Sequence, residues 1–571
     1  MLRHKHLVVL AALLVVVVLL LNGCVPPATP PPAPPEEKPA PEGVLVDPAK
    51  MTKMLKWNLG TEPPTADPAL ATDTTSVQVD EALFLGLTDF DDRTSEVVPE
   101  LATEWSVSED GLVWTFKLRN DVKWVRYDPK TLMAKVVGTV TAHDIEYGVK
   151  RTIDPATASD YAYVDYIIKN AEAVNTGEST DLDSLGVKAL DDFTIQFTLE
   201  QPAGYFPAIA GMWVNRPVPK AAIEEYGDKW TEPGNIITNG PYLLHTWEHE
   251  NKMVFVKNPY YFGADSVDIE VVDCVMVVEA STAFAMYENG ELDVASPPLD
   301  DMDRVKADPV LSKELYIAPA LCTYYYGYNV TKPPFDNKLV RQAFSYAVDR
   351  QKLIDTVTKG GQKPASTFAC PGIFGTPAED PNFPGITFDP AKAKELLAQA
   401  GYPNGEGLPE ITLMFNTSEG HQKIAQFIQQ SWKENLGVDV KLANQEWKVY
   451  LQTLTEDSPQ IWRLGWCADY PDENNWVMEV FHPTKGANRP KWDPQSEAAQ
   501  KFMQLVEDAA KAADPEKRKK LYFEAEKILS ADEAIIIPIY YYTTVVCTKP
   551  YVQRTYAPMG GEHWSQWKLN K

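Results

Sequence analysis

Residues 463–472 read RLGWCADYPD and place a cysteine and an aspartate between two aromatic residues, Trp466 and Tyr470. The aromatic spacing is typical of a strand. A carboxylate buried among rings is costly unless a partner neutralises it or donates hydrogen bonds to it. The segment therefore raises two questions on which the interpretation of the fold depends: what Asp469 pairs with, and why Cys467 lies beside it.

Three aromatic clusters share this strand-like spacing, at residues 322–329 (CTYYYGYN), 465–470 (GWCADY) and 539–544 (IYYYTT). Two interpretations stay open at this stage. The rings can fill a core, or they can form the walls of a ligand cleft, because amphipathic aromatic surfaces accept varied side chains.

Periodic segments elsewhere predict a mixed α/β protein. Apolar and polar residues alternate in 112–119 and 191–200, which predicts strands. Segments 389–402 and 514–532 each begin with Asp-Pro, an N-cap followed by proline in the first turn, and continue at helical spacing. A chain of 571 residues exceeds one hydrophobic core. We therefore expect an α/β fold with mixed sheets in more than one lobe.

The charge balance excludes two classes of partner. The formal net charge is −27, and the sequence contains no basic run or stripe. An acidic surface of this kind disfavours nucleic acid and anionic membrane surfaces.

Signatures of enzymes are absent from the sequence. It contains no P-loop, Rossmann glycine fingerprint, nucleophile elbow or HExxH motif. His245 and His249 lie in an alternating segment, where four residues span about 13 Å, too far for one metal ion. We therefore expect no enzyme, no cofactor and no metal site.

Several acidic and histidine residues are expected to lie outside any site. Adjacent carboxylates could be read as a glycosidase pair, but in turns they are more often solvated. This interpretation applies to Asp91-Asp92, Asp191-Asp192 and Asp300-Asp301, and His482 and His563 are expected to lie in isolation near turns.

The N-terminus predicts export. Positive residues from Arg3 precede an unbroken apolar run at 7–21, which spans about 22 Å as a helix, less than the ~30 Å bilayer core. The run ends in Leu-Asn-Gly-Cys and resembles a bacterial lipobox, which predicts a signal peptide at 1–23 and a diacylglycerol on Cys24. Residues 24–44 are rich in proline and predict an extended tether.

Six cysteines leave an open pairing problem. With Cys24 taken by lipid, five remain in an oxidising compartment, so at least one thiol is free or bonded to another molecule. The sequence alone does not choose the pairs.

Several motifs together resemble one family, the bacterial oligopeptide-binding proteins that serve as extracellular receptors of ATP-binding-cassette (ABC) peptide importers (solute-binding protein family 5). The resemblance extends from about residue 59 to 569. It rests on these segments: VVPELATEWSVSEDGLVWTFKLR (97–119), TAHDIEYGVKR (141–151), DKWTEPGNIITNGPYLL (228–244), PALCTYYYGYN (319–329), NQEWKVYL (444–451) and GWCADY (465–470).

The resemblance implies a type II periplasmic-binding-protein-like architecture, with two lobes and an extra domain. Domain I would be discontinuous, domain II would be the extra lobe, and crossover strands near 321 and 540 would form a hinge. The implied boundaries are 45–84, 216–321 and 541–571 for domain I, 85–215 for domain II and 322–540 for domain III.

The resemblance also implies a disulfide and a set of ligand contacts. Cys322 and Cys467 would be bonded beside the cleft, and a second bridge between Cys274 and Cys547 is a weaker expectation. Asp469 would pair with a peptide α-ammonium, while Arg463 and His421 would meet the ligand carboxylate. The remaining contacts would come from Gly465, Trp466 and Cys467 on one side, Ala71, Thr72 and Asp73 on the other, and the pocket-lining rings Tyr161, Tyr325 and Trp447.

This chain departs from the family pattern at three places. Leu454 stands where a second carboxylate-binding arginine is expected, Thr72 replaces a glutamate, and a longer loop is expected at 125–138. These departures concern the preferred peptide length.

The resemblance implies a lipid-anchored, monomeric receptor that captures short peptides and delivers them to an ABC permease with its ATPase subunits. Three alternatives to this function stay open at this stage: a receptor for another solute such as an oligosaccharide, a secreted hydrolase, and a tethered signalling or adhesion module without transport.

Overall fold

The structure is a computed structural model that describes residues 43–561 and 563–571. The predicted signal peptide, Cys24 and the tether up to residue 42 lie outside the described residues.

Strands alternate with helices along the chain. The strands are β1 Val44–Leu45, β2 Met54–Asn58, β3 Thr88–Phe90, β4 Val97–Pro99, β5 Ala102–Val107, β6 Val113–Leu118, β7 Lys123–Asp128, β8 Met133–Thr139, β9 Val187–Asp191, β10 Thr194–Thr198, β11 Ile237–Thr238, β12 Tyr242–Glu248, β13 Lys252–Lys257, β14 Val271–Val275, β15 Val294–Ala295, β16 Leu315–Tyr328, β17 Lys363–Pro364, β18 Ile411–Asn416, β19 Val440–Gln445, β20 Ile461–Cys467, β21 Ile536–Thr548, β22 Val552–Gln553 and β23 Lys568–Leu569.

The helices follow the same order. The α-helices are α1 Thr74–Leu83, α2 Ala142–Ile153, α3 Ala171–Asn175, α4 Phe206–Gly211, α5 Lys220–Tyr226, α6 Ala280–Glu288, α7 Met302–Ala307, α8 Leu311–Glu314, α9 Lys338–Tyr346, α10 Arg350–Leu353, α11 Pro390–Gln399, α12 Glu419–Leu436, α13 Trp447–Asp457, α14 Glu479–Phe481, α15 Glu497–Lys511 and α16 Pro515–Lys527. Single π-helical turns lie at Ile354–Thr358, Asn474–Met478 and Ile528–Asp532.

Local sequence signals explain the elements that were predicted. Asp389 and Asp514 accept backbone hydrogen bonds as N-caps, each with proline in the first turn. The alternating segments form β6 and β10, which pair with each other. The mixed α/β prediction is confirmed.

The largest sheet has strand order β15-β21-β16-β20-β18-β19, with β17 added to β21. Strands β16 and β21 are the longest, and they run antiparallel side by side. Their ladder is interrupted between Pro319 and Thr323 and again between Tyr324 and Tyr325. The same two strands carry two of the three aromatic clusters, and β20 carries the third.

Most of the remaining strands belong to three four-stranded sheets, with the orders β5-β6-β10-β9, β12-β13-β14-β2 and β1-β8-β7-β11. The last sheet corrects the expectation of a loop at 125–138, since these residues form the paired strands β7 and β8. Strand β8 pairs with β1 and β7 pairs with β11, so the hairpin is held on both edges. The alternating residues of the segment supply the reason, because Val125, Tyr127 and Ala134 are buried.

The segment around His245 and His249 also forms a hairpin, β12 and β13, rather than one strand. His245 contacts the Tyr127 hydroxyl at 3.0 Å, and His249 contacts Glu62 at 2.8 Å. The two rings therefore serve different partners.

None of the helices in residues 43–561 and 563–571 is both long enough and apolar enough to cross a bilayer.

Candidate functional site

A cavity of about 520 Å³ lies between two walls. The first wall comes from residues 72–95, Tyr161 and Trp213, and the second comes from Trp447, residues 463–469 and Arg489. Nine of the twelve predicted contact residues line this cavity: Thr72, Asp73, Tyr161, Trp447, Arg463, Gly465, Trp466, Cys467 and Asp469.

Strand β20 presents an open backbone edge to the cavity. It pairs with β16 along its whole length, but β18 covers its other edge only at Ile461 and Trp462. The Arg463 N–H and carbonyl then bond to the Tyr450 hydroxyl at 2.9 and 2.7 Å, so they point away from β16. Alternate residues of a strand face the same edge. The backbone groups of Gly465 and Cys467 therefore point into the cavity.

The disulfide agrees with this orientation. Cys322 and Cys467 are opposite in the ladder, their Cα atoms are 4.0 Å apart, and their sulfurs are bonded, as the resemblance implied. A separation below 5 Å is typical of an antiparallel pair whose backbone groups do not bond each other. The bridge therefore fixes the strand that ends beside Asp469 and leaves the outer edge of that strand available.

The expected second bridge is wrong. Cys274, Cys370 and Cys547 are free and buried. Cys274 lies on β14 and Cys547 on β21, which belong to different sheets.

Asp469 has hydrogen-bond donors but no cation. Its Oδ2 accepts from the Tyr161 hydroxyl and from Asn475 Nδ2, each at 2.8 Å. No lysine, arginine or histidine among the described residues forms an ion pair with it. Burial raises the pKa of Asp469 to about 6, and the two hydrogen bonds oppose that rise. The carboxylate therefore carries a partly buried charge that no cation among the described residues neutralises.

Asn475 positions this carboxylate, and the sequence analysis missed it. Its Oδ1 accepts from the Asp469 N–H at 3.0 Å and from Trp466 Nε1 at 3.3 Å, while its Nδ2 donates to Asp469 and to Glu479. Asn475 lies in a π-helical turn, and such turns recur at functional sites. No local pattern announces this role, since it depends on the fold bringing residues 466, 469 and 479 together.

Glu479 accepts a hydrogen bond from the side-chain amide of Asn475 and so helps to orient it. Burial raises the pKa of Glu479 to about 8, so this carboxyl is mostly protonated at neutral pH. It bonds Asn475 at 2.8 Å and also contacts the Tyr470 hydroxyl. The charge in this network therefore stays on Asp469.

Contacts between the walls close the cavity. Tyr161 and Trp466 stack with centroids 6.5 Å apart, in addition to the bond from Tyr161 to Asp469. Trp447 Nε1 donates to Asp73 Oδ1 at 3.1 Å.

Residues 71–73 have structural partners of their own. The Ala71 carbonyl accepts from Trp213 Nε1 at 2.9 Å, and Asp73 caps α1 through the N–H groups of Thr75 and Ser76. Asp73 Oδ2 is buried without a hydrogen-bond partner among the described residues.

Arg463 is a buried cation on the second wall. Its guanidinium lies 4.4 Å from the Tyr324 ring centre and bonds Asn416 at 3.1 Å and Tyr542 at 2.5 Å. Within the described part of the chain no carboxylate is paired with it. It can therefore bind a carboxylate supplied from outside.

Three predicted contacts do not reach the cavity wall: Ala71, which is fully buried, Tyr325 and His421. Tyr325 is fully buried and packs edge-on against Phe368 and Trp462, because neighbouring strand residues face opposite sides of the sheet. His421 lies behind Tyr324, 3.3 Å from its hydroxyl. Burial lowers the pKa of His421 well below its usual range, and Arg463 lowers it further. The imidazole is therefore neutral. Leu454, the departure noted above, is also fully buried.

The far end of the cavity corrects two sequence expectations. Asp92 and His563, expected to be solvated or isolated, bond each other at 2.7 Å, and Asp92 is buried. His563 Nε2 also lies 3.6 Å from both Glu81 and Asp89. The fold places a loop near the C-terminus over the residues around β3, a contact that sequence spacing does not reveal.

Arg216 completes this charged cluster. It bonds Glu81 at 2.5 Å and the carbonyls of Asp80 and Phe84. Burial works to raise the pKa of Glu81, but Arg216 and His563 overcome it and leave a pKa of about 2.

The cluster could be read as a metal site, because ligand atoms of Glu81, Asp89 and His563 lie within 4.8 Å of one another. Burial works to lower the pKa of His563, but the neighbouring carboxylates hold it well above its usual range. The ring is therefore a protonated cation, which favours an ion-pair cluster over a metal site.

The sequence matches the bacterial extracellular solute-binding proteins, family 5 (middle region), over residues 96–488. The chain belongs to this family. It is 35% identical over 501 residues to the periplasmic oligopeptide-binding protein OppA of Escherichia coli, covering 87% of this chain and 88% of that protein. These findings confirm the resemblance. The named relatives are binding proteins, and this family 5 chain is a receptor rather than an enzyme.

Solved structures agree with the fold. The murein tripeptide-binding protein MppA of Escherichia coli superposes with a TM-score of 0.83 at 32% identity, covering 92% of this chain and 100% of MppA. Haemophilus influenzae OppA, in complex with the peptide RPPGFSPFR, gives 0.80 at 29% identity, covering 91% and 100%.

A second MppA structure, the unliganded open form, gives a TM-score of only 0.62 at the same 32% identity, covering 93% of this chain and 99% of that one. Since the sequence is shared, the lower score reflects a different arrangement of the chain. The present structure is therefore not in that open arrangement, as expected from the contacts that join the two walls.

Proposed function

We propose that this protein captures short peptides in the cavity and delivers them to an ABC importer. The observation that carries the proposal is Asp469, a partly buried carboxylate without an ion partner among the described residues, at the end of an open strand edge. Such a charge is costly in the empty protein, and a ligand that brings a cation removes that cost. The α-ammonium of a peptide is a cation attached to a chain that can pair with a strand.

Peptide recognition divides into a backbone part and a charge part. The backbone of the ligand adds to the β20 edge at Gly465 and Cys467, which binds main chain regardless of sequence. Asp469 receives the α-ammonium, and Arg463 receives the α-carboxylate, with neutral His421 behind it. The aromatic walls of Tyr161, Trp447 and Trp466 accept varied side chains, with water filling the remaining space.

Release and capture need the walls to separate. We propose the hinge at the interrupted ladder between β16 and β21, near the predicted crossovers at 321 and 540. A break in the ladder leaves fewer bonds to distort during bending. The closed form would dock on the permease, and its ATPase subunits would supply the energy.

Localisation follows from the same proposal. The relatives are extracytoplasmic, which supports the predicted export. A diacylglycerol on Cys24 and a proline-rich tether at 24–44 would hold a monomeric receptor near the membrane.

The alternative functions require different groups and partners. A neutral oligosaccharide would use the aromatic walls but would leave Asp469 unneutralised. A hydrolase needs a nucleophile with a base, and a signalling or adhesion module would bind no permease. The comparison of free and blocked peptides separates a peptide receptor from a sugar receptor, and a permease pull-down separates it from a module without transport.

Calorimetry of the purified protein with Ala-Ala-Ala and with its N-acetylated form tests the proposal. We expect the free peptide to bind at least about 30-fold more tightly, because acetylation removes the cation that pairs with Asp469. Equal affinities, or binding of sugars instead of peptides, would contradict it. Native mass spectrometry of the freshly purified protein would reveal co-purified peptides and their length.

A further inference from the structure

Arg489 is a third buried arginine that lines the cavity, beside Arg463 and Arg216, and none of the peptide contacts proposed above involves it. Its exposed fraction is 9%, and it lines the same cavity as Asp469 and Arg463. Its Nε and Nη1 are sealed from solvent and have no hydrogen-bond partner among the described residues, and no described carboxylate is ion-paired with it. A buried guanidinium normally satisfies its five donors, so this one lacks an anion.

The groups around Arg489 do not supply the missing anion. Burial raises the pKa of Tyr163 and Tyr325, and the charge of Arg489 acts on both hydroxyls in the opposite direction. Burial lowers the pKa of Lys491, and Arg489 lowers it further, so a like charge lies nearby. Asp457, which also acts on Lys491, is already paired with Lys332 at 2.7 Å.

The backbone of Arg489 is held in place. The Ser458 hydroxyl donates to the Arg489 carbonyl at 2.8 Å, and the Val330 N–H donates to the next carbonyl, that of Pro490, at 2.9 Å. Asn488, immediately before it, has a positive φ of 39° and bonds the carbonyls of Pro483 and Trp492. A side chain rooted in such a loop is placed for one direction rather than free to reach the surface.

We infer that Arg489 selects peptides that carry an aspartate or glutamate side chain, whose carboxylate pairs with its guanidinium inside the closed cavity. This inference rests on the proposed function. Asp469 takes the α-ammonium and Arg463 the α-carboxylate, so Arg489 is left for a second carboxylate. Planar guanidinium and carboxylate groups bond in a bidentate manner, and burial strengthens the pair.

The test compares glutamate with its neutral isostere glutamine. Peptides of three to five alanines, each with one Glu or one Gln placed in turn at every position, are titrated into the wild-type protein by calorimetry. At one position we expect Glu to bind at least about 30-fold more tightly than Gln. In Arg489→Gln that ratio should fall to near one while the affinity for the Gln peptide is kept, and Arg489→Lys should retain part of the preference.

The outcomes are distinguishable. Equal binding of Glu and Gln peptides at every position of the wild type, with Ala-Ala-Ala still bound, overturns this inference and leaves the proposed function standing. A preference that survives in Arg489→Gln assigns the acid to another group and also overturns it. Failure of every unblocked peptide to bind overturns both proposals. The wild-type comparison stands even if a variant does not fold.

Discussion

The two ends of the cavity hold similar charges in opposite circumstances. At the far end, Arg216 bonds Glu81 at 2.5 Å and His563 bonds Asp92 at 2.7 Å. At the near end, Asp469, Arg463 and Arg489 line the same space without an ion partner in the described part of the chain. Burial costs each of these charges, and only the far end offsets that cost within the fold. The comparison indicates that the far end stabilises the protein and that the near end is completed by its ligand.

The largest expected effect separates two arginines that are both buried. Arg216→Gln should lower the free energy of unfolding by about 3–5 kcal/mol, because it removes the arginine that bonds the partly buried Glu81 and leaves only His563 close to that charge. Arg489→Gln is the matched control and should not lower it, since no protein carboxylate is left behind. Urea denaturation of both variants measures the difference. Equal losses would break the distinction between the two ends.

Asp469→Asn should lower the affinity for peptides rather than the stability of the protein. We expect affinity for an unblocked tripeptide to fall by about 2–5 kcal/mol, roughly 30-fold to several thousand-fold, since the ammonium would be buried without its counter-charge. The stability of the empty protein should not fall, because the substitution removes a costly charge. Calorimetry and thermal unfolding measure the two quantities. A large loss of stability with little loss of affinity would place Asp469 among the structural charges.

His563→Gln should cause a smaller loss of stability at the far end than Arg216→Gln. The folded-state pKa of His563 is well above its usual range because Asp89, Asp92 and Glu81 favour the cation. A raised pKa contributes stability that is fully present below the unfolded pKa near 6.5 and is lost as pH rises through the folded pKa. We therefore expect a loss of about 1–3 kcal/mol at pH 6 that shrinks at alkaline pH. A pH-independent difference in urea midpoints would contradict this explanation.

One end of the cavity is more predictable from the sequence than the other. Cys322, Cys467 and Asp469 lie within two short family motifs, so their pairing and placement followed from the resemblance. Asn475 lies in a π-helical turn and Arg489 in an irregular segment, and periodicity predicts neither role. Asn475 depends on the turn that brings residues 466, 469 and 479 around it, and Arg489 is held by the more distant Ser458. Tyr325 was placed in the wrong layer because three consecutive tyrosines hide which of them faces the cavity.

The far end was missed for the same reason. His563 is separated from Asp92 by 471 residues, and only the folded chain brings them together. Adjacent acids such as Asp91 and Asp92 differ in burial although their sequence context is shared. The loop expected at 125–138 came from comparison with the family pattern, whereas the pairing of β8 with β1 and of β7 with β11 makes the segment a hairpin.

The pH dependence of peptide affinity gives the smallest and most specific effect. The pKa of Asp469 in the empty protein is about 6, raised by burial. Only the ionised carboxylate pairs with the ammonium, so affinity should be constant above pH 7 and fall by up to about tenfold for each unit below pH 6. Calorimetry between pH 4.5 and 8 measures it, and Asp469→Asn should flatten the profile. Because Glu479, with a pKa of about 8, stays protonated below pH 7, a fall in affinity below pH 7 that survived in Asp469→Asn would assign the titration to another group and remove Asp469 from its role.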